Sequence, residues 1–348
     1  MFLKKRAPKT SVVGLELDPG HLAAAEVAAN GSIITLTRGA VAPLRVGILR
    51  DGEVADVAGL AQALKGLFEE NDLPKRVRLG VANQRIVVRS LDLMPAEDEK
   101  QLAALVRAEA PDHIPMPMNE AIVDFQPVGI VQTLAGPRQR VVVVAVRREM
   151  IERVLAATSE AGLTVEGVDL SAFGMVRALA GPEASGAQLY VNVAGLTNVA
   201  VANPTGCLFT RAAAGGLDAM VHNLAERRGL TVEHATQWLT HVGLVAPVDS
   251  LEGDPDLLAA TRTVLEEGVH QLADTVRNSL NFYRMQEHAE QVDGGVVTGP
   301  AVAIAGLVEK LSEHLRLPLQ AGIVAAGDDA SDVERLTVAA GLAVAARP

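Results

Sequence analysis

Two turns in this 348-residue chain carry the residue types that hold a phosphate. Asp18-Pro19-Gly20 closes one strand-turn-strand unit, and Asn192, within LYVNVAGLTNVAVAN, stands at the matching place in a second unit half a chain later. Thr197 follows that second turn, and the glycine turns Gly215-Gly216 and Gly299 lie beyond it. Small residues let backbone N–H groups reach phosphate oxygens, and an acid at each turn can hold Mg²⁺ through water. The same residues equally suit two ordinary hairpins, and spacing alone does not choose between them.

Other chemistries lack their residues. The chain has no GxxxxGK[ST], GxGxxG, HExxH, GxSxG or CxxC. His234 and His241 sit near Trp238 without a third ligand, so they read as surface or core residues. Glu97, Asp98 and Glu99 read as a helix start. Cys207 is the single cysteine, in an apolar context with no adjacent base; no internal disulfide can form, and a reducing cytoplasm is the expected compartment. A net charge of −11 argues against a general nucleic-acid surface, and 3% aromatics leave few stacking platforms.

With 49% hydrophobic residues and a mean hydropathy of +0.23, the chain has material for a packed core and the length for two domains. The longest aliphatic run, Val141 to Val146, is too short to span a bilayer. Lys4, Lys5, Arg6 and Lys9 make a basic start with no signal-peptide stretch after it, expected to be a solvated tail.

Periodicity supplies the elements that position the turns. Residues 11–17, 21–28 and 31–41 read as a meander with turns at Asp18-Pro19-Gly20 and Asn30-Gly31. A helix follows Asp56, with Val57, Leu60, Ala61, Leu64, Leu67 and Phe68 on one face. Strands at 77–82 and 86–92 precede an acid-rich helix start at 95–100. That helix should end at His113-Ile114-Pro115-Met116-Pro117, which cannot be helical through its middle. A segment at 121–128, a strand at 140–146 and a helix at 149–161 complete a small inserted α/β block. The second half opens with the 189–203 hairpin, then a long helix at 262–284, a strand at 295–298, a helix through Leu307, Val308 and Leu311, and a small-residue helix at 332–346. Two related halves are the natural reading.

Several motifs resemble the PilM family, actin-like proteins of the type IV pilus inner-membrane platform, and more distantly the cell-division protein FtsA. The most specific stretch is RSLDLMP, then RAEAPDHIPMPMNEAIVDFQPV at 107–128; VVGLELDPG, LFTRAAAGGLDAM, VRNSLNFYR and VVTGPAVAIAGL agree in order and approximate spacing. FtsA itself is disfavoured, because it ends in a basic amphipathic helix and this chain ends GLAVAARP. The resemblance implies an α/β actin-like fold with ribonuclease H-like duplicated domains and an FtsA-type inserted subdomain. The expected division is a flexible basic tail at 1–10, a first subdomain at 11–92 and 165–187, and the insert at 93–164. A second actin-like subdomain at 188–225 and 286–348 would carry a helical subdomain at 226–285.

Functionally, the resemblance implies a cytoplasmic scaffold at the inner-membrane face. It would bind the N-terminal cytoplasmic tail of the membrane protein PilN and couple the platform to motor ATPases. The expected groove lies between the first meander and the insert, with Arg89, Ile114, Pro115 and Met116; the IPMP segment is equally readable as a rigid turn packing its own subdomain. The nucleotide loops depart from the family. The first loop has His21 for a hydroxyl and Ala25 for a lysine, the second has Asn192 for an aspartate and Ala194 for a glycine, and Pro300 interrupts the adenine-side loop. Thr236 and Leu239 stand where the family supplies Glu and Lys to the nucleoside. A vestigial or weak cleft of Asp18, Gly20, Asn192, Thr197, Gly215, Gly216 and Gly299, with no catalysis, no resident metal and no confident cofactor, is expected. The alternative is a working switch binding ATP with Mg²⁺; a sugar or acetate kinase of the same fold needs a catalytic aspartate at a substrate cleft, and the small insert and the absent phosphate-loop residues argue against it.

Overall fold

A computed structural model describes residues 12–30, 33–134, 136–181, 185–287, 289–327 and 330–344. The basic tail, the Gly31 end of the second predicted turn and the last four residues fall outside these.

The first half begins with the antiparallel meander β1 (Val13–Leu17), β2 (His21–Asn30) and β3 (Ile33–Pro43). A short hairpin, β4 (Leu49–Arg50) and β5 (Glu53–Val54), leads into α1 (Val57–Glu70). Asp56 caps that helix by accepting the Gly59 N–H at 2.9 Å, and of its predicted face Leu60, Ala61, Leu64, Leu67 and Phe68 are buried while Val57 is half-buried at the first turn. β6 (Arg76–Val81) then lies parallel to β1. β7 (Val87–Leu93), α2 (Glu99–His113), β8 (Ala121–Thr133) and β9 (Gly136–Arg147) follow as the insert, a separate three-stranded sheet in the order β7-β9-β8 with its helix, so its sheet begins before the expected boundary at 93, because β7 pairs with β9 and not with the first sheet. Its helix runs past Pro111 and breaks at Ile114, as the prolines require. α3 (Arg148–Glu160) and β10 (Thr164–Leu170) return the chain to the first sheet beside β6. α4 (Ser171–Leu179) then crosses to the second half.

There, β11 (Ala187–Val193), β12 (Leu196–Asn203) and β13 (Gly206–Ala214) form a second meander, followed by α5 (Leu217–Arg228), α6 (Val232–Val242) and α7 (Pro255–Arg284). α7 starts seven residues before the predicted Arg262, because Asp254 accepts the Asp256 and Leu257 N–H groups and Pro255 fits the first turn. β14 (Val292–Thr298), α8 (Leu307–Leu315), β15 (Leu319–Ala321), β16 (Ala325–Ala326) and α9 (Val333–Ala343) complete the described chain. The sheets run β3-β2-β1-β6-β10 and β13-β12-β11-β14-β15, with β16 added outside β3. Each sheet is an antiparallel meander extended by two parallel strands, so the duplication read from the two turns extends to whole sheets.

Two helices lie between the halves. α9 packs Leu336, Ala339 and Ala340 on the first sheet, while its Val338 and Leu342 join Met175 of α4 against Tyr190 and Val296 of the second. The crossing is so close that a Cβ on Gly341 would overlap the Gly174 carbonyl oxygen. Arg78 donates to the carbonyls of Leu342 and Ala343 at 3.0 and 3.2 Å, and Arg177 to that of Gly341 at 3.0 Å. Two cations thereby complement the negative end of the α9 dipole. No helix among the described residues is long and apolar enough to cross a membrane.

Candidate functional site

β1 and β11 each end at a turn, and the fold brings these two turns together. Glu16 lies on β1 and Asp18 in the turn just beyond it, and both are buried. The Asp18 carboxylate accepts the Gly20 N–H at 3.1 Å within its own turn. It also accepts the Gly195 and Leu196 N–H groups of the second turn at 3.0 and 3.3 Å. A phosphate in this cradle would need those amide donors, and a carboxylate of the chain itself already takes them.

Glu16 reaches the second half as well: Asn192 donates from Nδ2 to its Oε1 at 3.4 Å. Burial, reinforced by the neighbouring Asp18 charge, pushes the Glu16 carboxyl well above its ordinary value. Asn192 fits this neighbourhood because it donates without adding a further carboxylate. Asp218, in the first turn of α5, lies so close that a Cβ on either Gly20 or Gly195 would collide with it. Burial raises its carboxyl too, with a further push from Asp18, and His21, His222 and Arg335 offset part of that.

His21, at the family's hydroxyl position, is buried with Nδ1 3.4 Å from Asp18. Its Nε2 and the Thr298 hydroxyl have no hydrogen-bond partner among the described residues. Gly299 adopts φ 91°, and a side chain there would overlap the Asn192 Oδ1. Thr197 donates its hydroxyl to the Gly215 carbonyl at 2.6 Å, and Gly216 leads into α5. All seven nucleotide candidates therefore flank the junction of the two halves.

Thr197, Gly215 and Gly216 also line a cavity of about 200 Å³ between α5 and α7. Its polar wall is Asn223, Glu267, Gln271 and Thr275, with no lysine or arginine. That is below the roughly 300–1,000 Å³ of small-molecule sites. Leu239 of α6 is fully buried in the core, and the Thr236 hydroxyl bonds back to the Val232 carbonyl, so neither presents a free polar group to a nucleoside. Among the described residues no cluster of three or more His, Cys, Asp or Glu can hold a metal ion.

The four groove candidates separate. Ile114 is 5% exposed and packs with Leu102, Val106 and Ala110 in the insert's own core, so its side chain serves the subdomain. Pro115 is exposed and Met116 half-buried against that core. Arg89, on β7, bonds the Val88 carbonyl at 2.9 Å. The amides of Gly195 and Leu196 carry no side-chain signature, whereas Glu16 was legible as an acid two residues before Asp18.

The chain matches the family described as Type IV pilus assembly protein PilM over residues 14–326. Its structure resembles a PilM–PilN type IV pilus biogenesis complex with a TM-score of 0.75 at 25% identity, covering 97% of this chain and 98% of that one. It also resembles ethanolamine utilization protein EutJ from Carboxydothermus hydrogenoformans (TM-score 0.54, 15% identity, 97% and 90% covered). A third likeness is to MreB5 of Spiroplasma citri bound to ADP (0.55, 12%, 96% and 95%). The latter two show the fold alone, and together the three establish it as actin-like.

Proposed function

The chain belongs to the PilM family of type IV pilus assembly proteins, and from that premise we propose that it is a non-catalytic scaffold at the cytoplasmic face of the inner membrane. It holds the N-terminal tail of a PilN-type membrane protein and thereby links the platform to its motor ATPases. The partner is carried over from the matched PilM–PilN complex, which aligns over nearly the whole of both chains. In this reading the nucleotide cleft is degenerate and nothing is hydrolysed.

One observation carries the cleft reading: the Asp18 carboxylate takes the amides of both turns. An incoming triphosphate must displace a buried anion from three donors, each such bond being worth about 1.5–3 kcal/mol. Titration calorimetry with Mg-ATP is expected to show no binding tighter than roughly 100 µM, equivalent to about 5–6 kcal/mol. A micromolar isotherm would instead support the second reading, an ATP switch that relies on the turn residues Asp18, Gly20, Thr197, Gly215, Gly216 and Gly299 still being in place.

The scaffold reading has its own test. A peptide copying the partner's tail is expected to bind the purified protein, and Met116→Asp to weaken it. Unchanged affinity in the variant would remove the 114–116 segment from the interface.

A further inference from the structure

A cavity of about 310 Å³ opens where the insert joins the first half. Four guanidinium groups ring it: Arg50 from β4, Arg85 just before β7, Arg147 at the end of β9 and Arg153 from α3. In a chain with a net charge of −11 this is a local reversal of sign. Arg85 is paired with Glu53 at 3.1 Å, and Arg153 donates to the Val54 and Ala55 carbonyls at 2.6 and 3.0 Å. Arg50 and Arg147 are exposed, and neither is ion-paired among the described residues. Val54 and Met150, both buried, form an apolar floor. α3 begins here without a side-chain cap, so its first turn adds partial positive charge. Asp51 and Glu149 also line the wall, which makes the site selective about where a negative group sits.

We propose that this cavity is a carboxylate subsite, in which Arg50 and Arg147 clamp an acidic side chain of the partner's tail. The inference rests on the scaffold reading above. Planar guanidinium groups match a carboxylate with two parallel hydrogen bonds, and the apolar floor accommodates the methylene stem of Glu or Asp. An anionic membrane fits less well, because a flat surface engages protruding cations, whereas these line a concavity with acids in its wall.

The test titrates two peptides into the wild-type protein and an Arg50→Ala/Arg147→Ala variant. One copies the partner's N-terminal tail; the other has its Asp and Glu changed to Asn and Gln. The amide peptide is expected to bind wild type about tenfold or more weakly than the native peptide, and the variant to bind both at the weaker level. Its melting temperature should not move, since both side chains are exposed and unpaired. Equal affinity of the two proteins for the native peptide overturns the subsite and leaves the scaffold standing; no binding to wild type overturns both. Flotation with phosphatidylglycerol vesicles is the third arm. Vesicle binding lost in the variant, with peptide affinity unchanged, assigns the arginines to lipid and overturns the subsite.

Discussion

The Asp18 carboxylate and the Gly195 amide meet at 3.0 Å across the two halves, so one turn is bonded directly to its counterpart. Asp18→Ala would leave the Gly20, Gly195 and Leu196 N–H groups without their acceptor. The expected cost is about 2–4 kcal/mol, because orphaned buried donors lose their full desolvation energy. A urea titration should show a lower midpoint at unchanged slope. A loss below about 0.5 kcal/mol would mean that something else satisfies those amides.

Glu16 predicts a pH dependence. Its carboxyl is raised by burial and by Asp18, so the folded protein binds this proton more tightly than the unfolded chain does. The stability it contributes is full below the ordinary carboxylate range and is lost as pH rises toward its elevated folded value. Glu16→Gln, which keeps an acceptor for Asn192, should flatten that decline and raise the melting temperature near pH 7, with little difference near pH 4. Parallel melting curves for the two proteins across this range would refute the assignment.

The α4–α9 crossing admits no side chain at Gly341. Gly341→Val should destabilise by about 3 kcal/mol or more, since the clash is with backbone that cannot give way. Gly66 is the opposite case: it lies inside α1, and an added Cβ would meet only the Glu70 side chain, at 3.8 Å. Gly66→Ala should therefore stabilise by about 0.5–1 kcal/mol. Thermal or chemical denaturation of both variants reads the pair, and a neutral Gly341→Val would remove the close crossing.

Cys207 is predicted to be inert in the folded protein. Burial pushes its thiol up to about 12, and the sulfur lies within hydrogen-bond reach of the Phe209 carbonyl at 3.3 Å. Alkylation by iodoacetamide at pH 8 should be at least about a hundredfold slower than in denatured protein, since only the thiolate reacts. Comparable rates would show the thiol to be accessible and ionised.

Local pattern was enough for much of this architecture. The apolar runs of β1 and β2 on either side of Asp18-Pro19-Gly20, the stripe of Leu60, Leu64 and Leu67, and the long stripe of α7 are properties of neighbouring residues, and neighbours in sequence stay neighbours in the fold. Asp18 sits in its turn as read, whereas Asn192 lies on β11, one residue before the strand ends. β10 escaped because a bulge at Gly167 interrupts its alternation, and β13 because GCLFTRAAA lacks a clean period. Only the tertiary structure decided what the turns do. The cross-half partners of Asp18 are backbone amides 177 and 178 residues away, groups that every residue but proline carries and that no motif marks. It also placed Ile114 in a core, paired Glu16 with Asn192, and gathered Arg50, Arg85, Arg147 and Arg153 around one opening. Contacts between segments distant in sequence depend on how whole sheets are stacked, and no short window of residues encodes that.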